Sequence, residues 1–397
     1  MSMSLDCGGQ PLEDDRLARV ALMRIAEAGD PVMGRLIAWY GPRSALDQAR
    51  RGTLEPEFAR RETELAEASR RRLNLEQLVA GWAARQADPA ADLAQGRRRG
   101  ARLIIPGDPE WPTQLDDLGD YRPYGLWLDG EANLRFTCLR SVAIVGSRAA
   151  TPYGVTVAAE FGSRLADEGW SVISGGAYGI DGAAHRGALA GGSPTVVVLA
   201  CGTDVCYPRA HEDLFRAVRS QGVVISEWPP GVHPTRPRFL VRNRVIAALS
   251  RGTVVVQAAV RSGALNTATH ASTLNRQLMA VPGPITSENS EGCHVLIRQG
   301  KAVCVTSVEE VIELVGSIGA DLAPERRGPV RPRDGLDDET RRVLEAVPAR
   351  GGAGPATIAV AAGVDMTTAL SCLGSLTAAG FVEPVARGWR LRPALAT

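Results

Sequence analysis

The stretch Ser141-Val-Ala-Ile-Val-Gly-Ser-Arg148, and then Ser171-Val-Ile-Ser-Gly-Gly-Ala-Tyr-Gly-Ile-Asp181, decides the fold. Each half is a short apolar run, without polar alternation, that ends in glycine; this is the pattern of a strand buried on both faces. Between the two halves, Thr151 is placed to cap a helix whose first turn takes Pro152. Val157, Phe161 and Leu165 share one face of that helix, and Gly169 closes it. The unit recurs downstream, with strands expected at 195–200, 223–226, 253–257 and 278–281, each separated by a helix-length segment. Ser307 and Glu310 then form a capping-box pattern on a last helix. Apolar strands joined by helical crossovers need a parallel sheet covered on both sides. The expected fold is α/β: a Rossmann-like, mostly parallel sheet.

Outward from this centre the pattern changes in both directions. Toward the N-terminus, Leu17 and Val20, then Val32, Leu36, Ile37 and Tyr40, recur at helical spacing, and Gly41-Pro42 is a helix stop. The basic runs Arg60-Arg61, Arg70-Arg71-Arg72 and Arg97-Arg98-Arg99 read as exposed helix faces. Toward the C-terminus, 321–338 is rich in Pro, Arg and Gly and reads as a linker. Beyond it, three helices (339–347, 355–363, 366–379) and a hairpin broken at Gly388 suggest a winged helix. The expected division is 1–105 helical (SAM or helix-hairpin-helix type), 106–320 Rossmann-like, 321–338 linker and 339–397 winged helix.

Composition narrows the function class. The 397 residues are 45% hydrophobic and 22% charged, the balance of a soluble globular protein. Met1 to Pro11 has no basic start followed by an apolar run, so no signal peptide is expected. No apolar stretch reaches the ~18 residues of a membrane span. Seven cysteines, an odd number without a C-x-x-C pair, fit free thiols in a reducing cytoplasm. Five histidines at no ligand spacing predict no metal, and no cofactor is expected. Lys301 is the only lysine, so almost all positive charge is arginine.

Placement of that arginine is the functional signal. Residues 229–287 contain no Asp or Glu but carry Arg236, Arg238, Arg242, Arg244, Arg251, Arg261 and Arg276, in a chain of net charge +1. Guanidinium forks without competing carboxylates suit phosphate oxygens. In doubly wound sheets, ligands sit beyond the C-terminal strand ends, where this sequence puts Gly146-Ser147-Arg148, the loop from Ser174 through Gly175, Gly176, Tyr178 and Gly179 to Asp181, and Ala200-Cys-Gly202 with Tyr207-Pro208. Glycines allow an anion to approach the backbone closely, and helix starts offer free amides. Together these describe a phosphate-binding crevice. A dinucleotide oxidoreductase fits less well: Ser174 replaces the first fingerprint glycine, and 196–201 lack the acidic residue a ribose needs. Cys201 reads as packing, and His185 as a helix residue bonded to a neighbouring loop, so no catalytic constellation emerges.

At these residues the chain resembles the DNA-processing DprA (Smf) family. The motifs are Val142-Ala-Ile-Val-Gly-Ser-Arg148, Ser174-Gly-Gly-Ala-Tyr-Gly-Ile-Asp-Gly-Ala-Ala-His185, Tyr207-Pro208, Arg242-Asn-Arg244, Ser262-Gly263 and Ala280-Val-Pro-Gly-Pro284. The resemblance implies a cytoplasmic homodimer that binds and protects single-stranded DNA and helps load the RecA recombinase, notably during natural transformation, with no enzymatic activity; from the lack of an apolar span, no membrane partner is expected. It carries DNA contacts onto Arg148, Arg236 and Phe239, the last as a stacking surface. With the crevice residues, the expected DNA-binding set is Gly146, Ser147, Arg148, Ser174, Gly175, Gly176, Tyr178, Gly179, Asp181, Arg236, Phe239, Arg242, Asn243, Arg244, Ser262 and Gly263. Arg148, Arg242 and Arg244, with the amides of Gly175, Gly176 and Gly179, are expected on the phosphates. The sequence departs from the family at Leu240-Val241 (usually Phe-Pro), Gln257 (usually Glu) and Asn275 (usually Gly). Two other readings stand beside this one. The first is a nucleoside monophosphate phosphoribohydrolase, although Pro282-Gly283-Pro284-Ile-Thr-Ser-Glu288 lacks that group's glycines. The second is a winged-helix regulator, although 366–379 contains no Arg, Asn, Gln or Lys for reading bases.

Overall fold

A computed structural model describes residues 9–70, 73–317, 319, 321–324 and 332–392. Arg71 and Arg72 of one basic run, residues 325–331 of the expected linker and the first eight residues lie outside that set. The chain divides into two compact units, 1–323 and 324–397.

The first unit is built on a nine-stranded sheet: β1 (Arg102–Ile104), β2 (Leu126–Asp129), β3 (Ser141–Val145), β4 (Ser171–Ser174), β5 (Thr195–Leu199), β6 (Val223–Ser226), β7 (Gly252–Val255), β8 (Gln277–Ala280) and β9 (Val303–Cys304). Their spatial order is β1-β2-β6-β5-β4-β3-β7-β8-β9. From β6 to β9 all neighbours are parallel, while β1 and β2 add an antiparallel edge beside β6. The central strands β3 and β4 are fully buried because alternate residues serve two cores. Val142, Ile144 and Val172 pack under the helices of one face, and Ala143, Val145 and Ile173 under those of the other.

β3 to β6 step outward in one direction; the helix Arg236–Leu249 then carries the chain back to β7, on the other side of β3. That reversal makes β3 and β7 the switch point of the sheet, and ligand crevices in such folds open beyond the strand ends there. Thr151 caps the helix Pro152–Asp167 as expected, with Gly154 N–H donating to its Oγ1 at 3.4 Å. At the last helix, Ser307 accepts from Glu310 N–H, but the Glu310 carboxylate reaches back to Thr306 N–H at 2.6 Å rather than to the cap itself.

Residues 9–98 are largely helical and pack against the sheet edge within the same unit; Trp127 of β2 is buried in the helical core. Gly41-Pro42 breaks the helical run at 31–51 without ending it: Gly41 leaves helical geometry at φ 78°, ψ 164°, and the helix resumes. Among the described residues, no single helix is long and apolar enough to cross a bilayer.

The second unit has three helices, Asp338–Ala346, Pro355–Ala362 and Met366–Ala378, and a hairpin of β10 (Val382–Val385) and β11 (Gly388–Leu391). Leu373 and Leu376 are fully buried in its core; Leu370 is half-exposed, and Ala369 and Cys372 fill the inner face instead.

Candidate nucleic-acid interface

Three loops leave the C-terminal ends of β3, β4 and β5 and meet the N-terminus of helix Arg236–Leu249. The loop after β3 is pinned from both sides. Ser147 N–H donates to Gln257 O at 2.7 Å, and Ile180 N–H donates to Ser147 O at 3.2 Å. Gln257 also accepts from Thr151 N–H at 3.0 Å and donates to Thr151 Oγ1 at 2.9 Å, so the amide side chain holds this loop. Asn275 takes φ 53°, a left-handed conformation that asparagine tolerates.

The loop after β4 turns through two positive-φ glycines, Gly176 (66°) and Gly179 (74°). A Cβ on Gly179 would lie 2.3 Å from Ser147 O, and one on Gly175 2.5 Å from an Arg242 nitrogen. Asp181 closes this loop from inside, accepting from Gly175 N–H at 3.1 Å and Ala177 N–H at 3.4 Å. Burial pushes its carboxyl above the ordinary carboxylate range, against the pull of nearby Arg242. The Gly175 amide, expected on a phosphate, therefore belongs to Asp181.

The arginines separate into two groups. Arg148 and Arg236 are exposed. Arg148 lies over the Phe239 ring, 4.8 Å from its centroid, and Tyr207, from the loop after β5, lies 5.5 Å from the same ring. Across the loop after β4, Tyr178 stands edge-on to His211 at 5.1 Å, and His211 is fixed by Gly176 O at 3.0 Å. Half-exposed Phe239 and Tyr207 and the exposed Arg148 guanidinium thus share one rim, with Tyr178 on the adjoining loop and Arg236 one helical turn before Phe239.

Arg242, Asn243 and Arg244, expected among the DNA contacts, are buried. Arg242 forms the floor, donating to Val198 O and, at 2.9 Å, to Gly175 O; burial pulls its pKa down to about 10. Asn243 donates to Gly263 O and Asn266 Oδ1, tying the helix to the Ser262-Gly263 turn, where Ser262 Oγ accepts from Ala264 N–H. Arg244 points away from the crevice into a two-pronged ion pair with Glu227, both distances 2.6 Å, and donates to Tyr121 O. The expectation of phosphate-binding Arg244 is corrected: its fork is occupied by a carboxylate. The acid-free run is likewise not free of acids in space, since Glu27 pairs with Arg238 and Asp117 with Arg276.

Neither candidate nucleophile nor base reaches the rim. His185 is fully buried, its Nδ1 2.8 Å from Thr195 Oγ1, and burial pulls its pKa down to about 3. Cys201 is buried and its thiol is pushed up to about 12. Ser174 is also internal, donating to Ile144 O at 2.6 Å.

Tyr207 was legible only as part of a Tyr-Pro motif; its place on the rim follows from the pairing of β5 beside β4, which brings its loop to Phe239.

The sequence model of a family described as DNA recombination-mediator protein A matches residues 102–316. A putative DNA processing protein DprA of Mycobacterium tuberculosis is 42% identical over 381 residues, covering 93% of this chain and 92% of its own. The DNA processing protein DprA of Streptococcus pneumoniae is 39% identical over 202 residues, 51% of this chain and 70% of that one. The X-ray structure of DNA processing protein A from the same species is similar with a TM-score of 0.54 and 31% identity, over 69% of this chain and 98% of that chain.

Proposed function

The chain belongs to the DNA recombination-mediator protein A family, and on that premise we propose that it binds single-stranded DNA along the rim at the ends of β3, β4 and β5. The observation that carries this reading is the Arg148 guanidinium lying over Phe239, with Tyr207 beside it. Aromatic faces recognise unpaired bases, because every base offers a π-face that a duplex keeps stacked inside. Arg148 and Arg236 supply charge for the backbone, and Gly176, Tyr178 and Gly179 supply the turn against which it lies. Ser147, Gly146 and Asp181 shape the loops; Arg242 and Asn243 hold the floor beneath them.

The bound strand is held and not cleaved: the buried, neutral His185 and the protonated Cys201 support a role without chemistry. In this reading the protein also protects the strand, delivers it to the RecA recombinase and acts as a cytoplasmic homodimer, roles that the family resemblance supports. The second unit serves in this reading as a winged helix for protein contact or weak backbone contact. The helix Met366–Ala378 has no Arg, Asn, Gln or Lys with which to read bases.

The test compares one labelled oligonucleotide, single-stranded and annealed to its complement, by anisotropy, together with incubation with nucleoside monophosphates. Tighter binding of the single strand and intact nucleotides are expected. Equal or tighter binding of the duplex, or released ribose phosphate that disappears in Glu288→Ala, would overturn the reading.

A further inference from the structure

Tyr207 belongs to the Tyr207-Pro208 motif that the sequence places at the crevice, but not to the expected DNA-binding set, and its setting is that of a ligand contact. Its ring is 44% exposed, although the chain is only 5% aromatic. It stands on the loop after β5, where the next residue, Pro208, is buried, so the ring projects from an anchored backbone. Its aromatic neighbour is Phe239, 5.5 Å away with planes inclined at 45°.

That inclination sets how many bases the pair can take. Two rings tilted by 45° present faces in different directions, so one flat base can lie along only one of them. A second ring therefore adds nothing to the hold on a first base, but it offers a face to the next one. Tyrosine is suited to this, since it brings a large π-face with little rotamer freedom to lose and a hydroxyl that tolerates water.

We propose that Tyr207 is a base-stacking residue of this crevice, so that the rim takes two successive nucleobases, one on the face of Phe239 that Arg148 leaves uncovered and the next on Tyr207. This inference rests on the single-strand reading and adds to it a minimum of two unpaired bases. A mononucleotide fills half of the site, and the ring, carrying no charge, contributes nothing to the salt dependence.

The experiment uses the full chain and the shortest oligothymidylate it binds, intact and with one abasic position moved along it. Stacking contributes about 1–3 kcal/mol per base, so loss of one platform weakens binding roughly tenfold. Two adjacent abasic positions should each weaken wild-type binding. In Tyr207→Ala the intact strand should bind about tenfold more weakly, one of those two positions should become silent, and the salt slope should stay unchanged. Tyr207→Phe should behave as wild type. If Tyr207→Ala binds normally while Phe239→Ala does not, the second platform is wrong and the single-strand reading survives. If neither substitution weakens binding, both fail. A loss that Tyr207→Phe shares, or one accompanied by a lower melting temperature, would make Tyr207 a structural residue and overturn the proposal.

Discussion

Arg242 and Arg244 stand two residues apart on one helix, and about 200° of rotation separates them. That geometry alone prevents both from serving one crevice. Arg242 turns in, beneath Gly175; Arg244 turns out, to Glu227. The sequence signal was available in the Arg-x-Arg spacing, but Glu227 stands just before the acid-free window opens at 229, so its partnership was hidden by where the window began. Removing one member of a buried ion pair leaves the other uncompensated, at about 3–5 kcal/mol. Arg244→Ala should therefore lower the melting temperature sharply, whereas Arg148→Ala should leave it nearly unchanged. Thermal denaturation of the two variants side by side checks this. His185 makes a second claim at this scale. Thr195 Oγ1 donates to Val172 O and so accepts from His185 Nδ1–H, which fixes the neutral tautomer inside the fold. Its pKa is about 3 in the folded chain, against an ordinary value near 6.5. The folded state thus binds fewer protons than the unfolded one between those values. Stability is complete above about pH 6.5 and is lost as pH falls, by up to about 1.4 kcal/mol per unit for one proton. His211 is depressed too and adds to the slope, so the discriminating quantity is a difference. Denaturant unfolding between pH 7.5 and 5 should show a shallower pH dependence for His185→Gln than for wild type.

Among elements, the central strands were legible because burial on both faces leaves uninterrupted apolar runs, as at Ser141–Val145 and Thr195–Leu199. The sheet edges were not. β1 is three residues long and partly exposed, and β9 has two exposed residues, too little sequence for any period to register. Glycines were legible as a loop but not in their separate duties. Gly179 supplies both a positive φ and room against Ser147 O, whereas Gly175 leaves space for a guanidinium. Gly179→Ala meets the backbone at 2.3 Å and a φ that side chains avoid, a strain of about 1–3 kcal/mol. It should lower stability by that order and also weaken single-strand binding, because it displaces the loop that carries Tyr178. Unfolding curves and anisotropy on the same preparation test both halves. In the second unit, Leu370, Leu373 and Leu376 recur at three-residue spacing, yet Leu370 falls at the margin of the inner face, because Ala369 and Cys372 fill the positions that point inward.

Over the whole molecule, a nearly neutral chain brings Arg148, Phe239 and Tyr207 to one rim of the sheet, with Tyr178 on the adjoining loop and Arg236 one helical turn before Phe239. The order of strands explains how: β3, β4 and β5 are adjacent, so their loops converge, and the returning helix Arg236–Leu249 delivers Phe239 to the same edge. The crevice as a whole could be read from the sequence, since it follows from strand ends and glycine. Which arginines face it could not, because that depends on carboxylates supplied from distant segments, Glu27 and Glu227 among them. Salt titration of single-strand binding tests whether this rim holds single-stranded DNA through Arg148 and Phe239. Removing the partner of one phosphate should reduce the slope of log affinity against log salt by about 0.7. Arg148→Ala should weaken binding and flatten the slope by that amount, while Phe239→Ala should weaken binding with its slope unchanged. Wild-type affinity and slope in both variants would contradict binding at this rim.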